Sequence, residues 1–287
     1  MRLWRIGAFW IPIVLISCGS VPSASDPAKA QAWKTLLRYQ DKALEELPRE
    51  EWPVIDDALQ AVCGGTQPRL LGCPWRLTSL NDEGGRKHYV FVEGHAATAR
   101  LEESIVRFRI YDADGAPLIM HGFKLALFWR RVAKVRPEPS PVELLSLDFY
   151  DHWGAARADP KRPRIRLYFG LLEGRLWEVR TDDRDGKAVG FPPSDDDEYK
   201  STRIEMPGPD ECLRRLRSGS WLQINVATAA LAAYRDRPEQ REQRLGKSIA
   251  RVRGDRRVQA ELRGLTESEN AWIREGAALV LRLGESD

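Results

Sequence analysis

The sequence predicts an α+β protein, with helices at both ends of the chain and an antiparallel sheet between them. Three observations carry this. Apolar residues recur at helical spacing after Asp26-Pro27. They alternate with polar residues at period two between about Pro74 and Pro192. Helical spacing then returns after Pro209.

Each element has its own signal. Asp26 is placed as an N-cap and Pro27 at the first helical position. Trp33, Leu36, Leu37, Gln40, Leu44 and Leu47 fall mostly on one face, and Pro48 ends the run. A second short helix follows Pro53, with Ile55, Ala58, Leu59 and Val62 at i, i+3, i+4 and i+7, which sets a helical arm over 26–63. In the β region, 74–192, Val106, Phe108 and Ile110 alternate with arginines. Phe123, Leu125, Leu127 and Trp129 read as one strand, as do Ile165, Leu167 and Phe169, and then Trp177 and Val179. Asp112-Ala113-Asp114-Gly115 and Glu173-Gly174 are hairpin turns, because glycine supplies the positive φ that such turns need. One polar face per strand predicts a β-sandwich or a curved sheet with one side wet. The acidic, proline-containing stretch 193–208 disfavours regular structure and is read as a linker.

The region 209–287 is read as helical. Ser220-Trp221-Leu222-Gln223 fits a capping box. Ile224, Ala227, Thr228, Leu231 and Ala232 form a stripe behind it, and Ile273, Gly276, Ala277, Val280 and Leu281 form the same stripe near the end. A tryptophan opens each helix, and the charged residues from Arg235 to Arg244 are read as extra length between the units. The segment Asn270 to Leu281 resembles the second helix of HEAT-type repeats, with Arg274, Ala277, Ala278 and Leu281 on the family's positions. The first unit departs from that pattern, since Gln223 and Asn225 stand where the basic residue belongs. The resemblance implies HEAT-like helical hairpins; an ordinary helical hairpin is the alternative.

The address comes from the N-terminus. Arg2 and Arg5 precede an apolar run, Ile6 to Ile16, that is too short to span a bilayer comfortably and is interrupted by Pro12. Leu15, Ile16, Ser17 and Cys18 follow the order aliphatic, variable, small, cysteine. This resembles the lipobox of bacterial lipoproteins. The resemblance implies a signal peptide over 1–17, cleavage before Cys18, and diacylglycerol on the Cys18 thiol. At about 0.8 kcal/mol per buried methylene, two or three acyl chains hold a folded domain on a bilayer. Residues 18–25 are then a flexible tether. Gly19 in place of Asp implies, in a Gram-negative host, the outer membrane facing the periplasm.

The formal net charge is +3, and removal of Arg2 and Arg5 with the leader leaves +1. Neither this balance nor an exported address suits a nucleic-acid partner. The excess of arginine over lysine is read as a compositional habit of the host. Cys63 and Cys73 bracket Gly64-Gly65-Thr66-Gln67-Pro68, which turns the chain back, so a disulfide between them is expected in an oxidising compartment, with Cys212 free. A pairing of Cys212 with either remains the alternative. No metal ligand spacing is present.

Other polar clusters read as surface or structure. Glu93 and His95 share a strand face, and Asp148, Asp151 and His152 gather at a strand end. Thr181 and Pro192 occupy the first and twelfth positions of any calcium loop built on Asp182 to Gly186, so that segment reads as a polar turn. The chain has no Gly-x-Ser-x-Gly and no glycine-rich phosphate loop, and no cofactor is implied. The expected function is a non-catalytic protein-interaction or scaffold lipoprotein, bound to the bilayer through Cys18 and to an envelope protein, with Arg274 and Trp153 as candidate contact residues. The alternatives are a lipid or apolar-ligand binder and a cell-wall hydrolase.

Overall fold

The computed structural model describes residues 26–42, 46–63, 75–96, 104–125, 128–151, 162–190, 208–232 and 244–284. Among them are seven α-helices and two four-stranded antiparallel sheets, so the chain is α+β, with its strands between two helical regions. The sequence segment 193–208 lies outside the described residues except for Gly208.

Helix α1 (Pro27–Leu37) starts where expected: the Asp26 carboxylate accepts the Ala28 N–H at 2.9 Å. It does not run to Pro48. The chain leaves the helix after Leu37, and Asp41 takes a positive φ of 65°. The Asp41 N–H then donates to the Leu77 carbonyl at 2.7 Å, which draws the arm onto the first strand. Leu44 lies outside the described residues, and Leu47 is buried beyond the end of α1. A 3-10 turn, Arg49–Glu51, leads into α2 (Trp52–Cys63), whose Ile55, Ala58 and Leu59 are buried.

The first sheet is a meander of β1 (Trp75–Asn81), β2 (Lys87–Ala96), β3 (Ser104–Tyr111) and β4 (Pro117–Leu125). The second is a meander of β5 (Phe128–Val135), β6 (Leu144–Tyr150), β7 (Ile165–Leu172) and β8 (Arg175–Asp183). The single strand read over Phe123 to Trp129 is therefore two strands in different sheets. Period-two alternation continues across the junction, and no glycine or proline marks the break.

Three turns share one design, Asp-x-x-Gly. In each, the glycine N–H donates to the aspartate carbonyl: Gly85 to Asp82, Gly115 to Asp112 and Gly186 to Asp183. The aspartate side chain accepts N–H groups across the turn, from Arg86, from Asp114 and Ala116, and from Asp185 and Lys187. The segment Asp182 to Gly186 is thus a polar turn. After it the chain doubles back, and Val189 N–H donates to Thr181 O at 2.9 Å. At Glu173-Gly174 both residues have positive φ, which matches the twist of a two-residue hairpin.

The inner faces of the two sheets contribute to one apolar core. It includes Val90, Val106 and Phe108 from the first sheet and Leu147, Leu167 and Phe169 from the second. The Phe108 and Phe169 rings meet at 5.1 Å. The outer faces are largely covered. Trp33, Leu36, Ile55 and Leu59 cover Leu77, Tyr89 and Phe91 of the first sheet. Leu222, Val226 and Trp272 cover Leu144, Tyr168 and Val179 of the second. All seven residues of β6 are buried. The arginine rows that suggested a solvated face lie in part beneath helices.

The C-terminal helices are α3 (Pro209–Leu216), α4 (Trp221–Ala232), α5 (Arg244–Arg253), α6 (Arg256–Leu265) and α7 (Ala271–Gly284). Ser220 caps α4, accepting the Gln223 N–H at 3.1 Å, but the reciprocal half of the capping box is missing: the Ser220 N–H goes to the Ser218 hydroxyl. Helix α4 is buried nearly all round, from Leu222 to Ala232, because it is wedged between β8 and α7. Among the described residues, the units opened by Trp221 and Trp272 are separated by two further helices, α5 and α6. Their buried residues Ile249, Val252, Val258 and Leu262 are sparse among arginines, so the apolar stripe is thin.

Close approach at this junction depends on Gly190. A Cβ there would lie 2.0 Å from the Ala232 carbonyl oxygen, a backbone atom that cannot turn aside. Gly190→Ala should lower stability by about 1–3 kcal/mol. Gly84→Ala, where the nearest atom is the Asp82 Oδ1 at 3.3 Å, should be near neutral. Equal thermal midpoints for the two variants would contradict this packing.

Candidate functional site

The strongest concentration of buried charge lies on the outer face of the second sheet, where α4 and α7 cover it. Cross-strand register places Asp148, Arg166 and Asp182 in one row over β6, β7 and β8, and Ser146, Tyr168 and Arg180 in the next. Arg166 binds Asp148 through both arms of its fork, Nε to Oδ1 at 2.5 Å and Nη2 to Oδ2 at 3.1 Å. That hydrogen bond raises the Arg166 pKa above its ordinary value, against the opposing effect of burial.

Arg180 is the centre of the next group. Its Nε donates to Asp182 Oδ1 at 2.5 Å, and its Nη1 lies 2.8 Å from Glu275 Oε2 on α7. The guanidinium stacks over Trp272, 4.7 Å from the ring centre. Trp272 in turn meets Tyr168 at 5.0 Å and Trp221 at 5.6 Å. Thus the two tryptophans that open the matching helices touch each other. Burial raises the pKa of the Asp182 carboxyl, with Arg180 opposing it, and burial raises that of the Tyr168 hydroxyl, with the Asp182 charge adding to it. Beside this group is a void lined by Glu178, Arg180, Thr181, Asn225, Thr228 and Gly276, with room for about one water (≈ 20 Å³). Chemically, the arrangement fastens helix to sheet: Arg166 and Arg180 both meet carboxylates, and Arg180 also meets a ring.

The first sheet repeats the device once. Glu93 is buried and lies 3.3 Å from Arg109 Nη2 and 3.9 Å from Arg107 Nη1. The polar clusters noted in the sequence are thereby accounted for. Glu93 and Asp148 are halves of ion pairs. Asp151 accepts from Arg164 at 2.5 Å, with Arg184 at 3.5 Å. The His95 side chain and His152 lie outside the described residues. Among the described residues, no group of three or more His, Cys, Asp or Glu is placed to hold a metal ion, and no helix is long and apolar enough to cross a membrane.

Leu15, Ile16, Ser17, Cys18, Cys73 and Trp153 also lie outside the described residues, as does the side chain of Cys63. Arg274 is exposed on α7, and its Nη1 donates to the carbonyls of Ser268 at 2.7 Å and Glu269 at 3.3 Å, so it braces the loop before its own helix. Ile273, Ala277 and Val280 are buried, while Gly276 and Leu281 are half-buried. Sequence reading missed the Arg180 group because Arg166, Arg180 and Asp182 alternate as an outward row would. The available signal was Trp272, one position before the buried stripe, which asks for a second packed face on α7. The excess of arginine also has a structural use, since forks and stacked guanidiniums recur at this seam.

No protein-family model, no curated protein and no solved structure matches the chain.

Cys212 on α3 is buried and carries no disulfide. Burial pushes its thiol up to about 12, with the Arg215 charge opposing. In the folded protein Cys212 should stay unmodified by a thiol reagent at pH values near 9, where an exposed thiol is largely ionised. It should react at once after denaturation. Peptide mapping that finds native Cys212 modified as fast as unfolded Cys212 would rule out this burial.

Proposed function

We propose that the chain is a lipid-anchored cell-envelope protein whose folded part is a non-catalytic protein-interaction module. In this reading the sequence Leu15-Ile16-Ser17-Cys18 is the lipobox, Cys18 carries the acyl chains, and in a Gram-negative host the protein faces the periplasm from the outer membrane. The two sheets pack as a β-sandwich, and the helical end is built of HEAT-like hairpins, α3 with α4 and α6 with α7.

The observation that carries the reading is the way buried charge is used. Asp148, Glu93 and Asp182 are held by Arg166, Arg109 and Arg180, and the space between the sheets is filled by side chains such as Phe108 and Phe169. A filled interior supports a scaffold over a carrier of apolar ligands, which needs a cavity of several hundred Å³. Surfaces for recognition then belong to the helices and loops.

Two experiments test this. Cys18→Ala should accumulate as uncut precursor and take up no labelled palmitate; normal labelling would overturn the anchor. For the interaction face, the lipidated protein is used as bait in detergent-solubilised envelope. Arg274→Glu should reduce recovery of a specific partner severalfold, at a stability cost of about 1 kcal/mol for its two lost bonds to exposed carbonyls. Ala277→Leu, at a fully buried site, should cost about 1–3 kcal/mol instead. Unchanged recovery with Arg274→Glu would remove α7 from the interface.

A further inference from the structure

The helical hairpin of α5 and α6 is strongly basic. Residues 244–265 contain seven Arg and Lys against two acids, Asp255 and Glu261. Both acids are already engaged. Asp255 caps α6 through the Arg257 and Val258 N–H groups and pairs with the Arg257 guanidinium at 3.0 Å. Glu261 pairs with Arg217, the C-cap of α3, at 2.7 Å. Arg251, Arg256 and Arg263 are exposed and meet no carboxylate among the described residues.

Two of them share one face of α6. Arg256, Ala260, Arg263 and Gly264 fall at i, i+4, i+7 and i+8 on α6, all exposed, while Val258 and Leu262 are buried on the other side. Small residues between the arginines let the guanidiniums stand clear of the surface. Arg251, exposed on α5 just before the turn, is the third such arginine of the hairpin.

The helical end that carries this face also meets the first sheet at the end where the chain starts. Trp33 of α1 packs on the β3–β4 turn, where a Cβ on Gly115 would be 2.6 Å from its ring. Ser220, between α3 and α4, hydrogen-bonds Glu83 in the β1–β2 turn. Those two turns close the same end of the first sheet, and α3 is tied to α6 through Arg217. Residues 18–25 span at most about 28 Å. A bilayer holding Cys18 therefore lies within reach of this end of the fold.

We infer that the exposed face of α5 and α6 rests on the anionic headgroups of the bilayer to which the protein is tethered. This rests on the lipoprotein reading. The tether supplies proximity, and the three uncompensated guanidiniums supply orientation, because cations near an anionic surface are attracted within a Debye length. Guanidinium forks also match phosphate oxygens. The surface would fix the β-sheets and the Arg274 side of the molecule relative to the membrane plane.

The test uses the full lipidated protein in vesicles of phosphatidylcholine alone or with added phosphatidylglycerol. Phenylglyoxal modification is followed at each arginine by peptide mapping. On the anionic vesicles, Arg251, Arg256 and Arg263 should react at least about threefold more slowly, and high salt should restore their rates. Arg164 and Arg184, exposed at strand ends of the second sheet and paired with Asp151, should be unaffected. Equal rates on the two vesicle types, or equal slowing at Arg164 and Arg184, would overturn the inference while leaving the anchor intact. Flotation with phosphatidylcholine vesicles reports the anchor separately; protein that floats with neither vesicle overturns both readings.

Discussion

A guanidinium laid across a sheet that is buried on both faces must be satisfied on every side, and Arg180 sets this demand on the fold. Removing one partner of such a buried pair typically costs about 3–5 kcal/mol, because the remaining charge has no water to turn to. The strand itself supplies Asp182, two residues on. Its Nη2 reaches the Gly186 carbonyl at 3.4 Å, while Nη1 and the flat face of the guanidinium meet Glu275 and Trp272, both on α7. A helix that slid along the sheet by one turn would lose both contacts together. The Arg180 group therefore fixes the register of α7 on β8, and with it the seat of the whole helical end. The tryptophan pair then passes the constraint to α4, and glycines permit the close approach. A Cβ on Gly170 would sit 2.3 Å from Leu222 Cδ1, and one on Gly276 3.0 Å from the Thr228 hydroxyl.

The N-terminal arm is held by an equivalent anchor made from backbone. Asp41, in its left-handed conformation, gives its N–H to Leu77 and accepts the Thr78 hydroxyl at 2.5 Å. Arg76 donates to the Asp41 carbonyl at 2.5 Å and, with its other terminal nitrogen, to the Val132 carbonyl of β5 at 2.9 Å. One side chain thus joins the arm, the first sheet and the second. The three parts of the chain are connected by hydrogen bonds to main-chain carbonyls as well as by apolar contact, so their relative positions are specified and not merely favoured.

What could be read from sequence was what is local. Asp26-Pro27, the Ile55 to Leu59 stripe, the Asp-x-x-Gly turns and the Ser220 cap all depend on residues within one turn of each other. Apart from the early end of α1, the errors are about distance along the chain. The polar rows were read as wet because alternation shows only that two faces differ, and the partners that bury the second face, Trp272 and Glu275, come from far along the sequence. Within the region read as helical, α5 and α6 were not placed individually, because Ile249, Val252, Val258 and Leu262 are too few to stand out from their arginines. The break between β4 and β5 falls in unbroken alternation, where period two cannot tell one strand from two. For the candidate site, the pairing of Asp148 with Arg166 was within reach as a cross-strand match, but the stacking of Arg180 under Trp272 was not.

The same geometry explains why arginine is favoured over lysine at the seam. Arg166 uses two nitrogens on the two oxygens of Asp148, and Arg214 does the same on Glu211, at 2.6 Å for each. Two guanidiniums, those of Arg175 and Arg215, lie 4.5 and 4.9 Å from the Trp177 ring centre. A lysine ammonium is a point charge with a strong hold on water. It can neither bridge both carboxylate oxygens in plane nor lie flat on an indole. In these positions the planar fork allows a charge to be covered by a helix without losing its partners. The arginine content is then a condition for burying both faces of a sheet that still carries Asp148, Glu178 and Asp182, and the covered sheet is in turn what leaves the helices as the outer surface of the molecule.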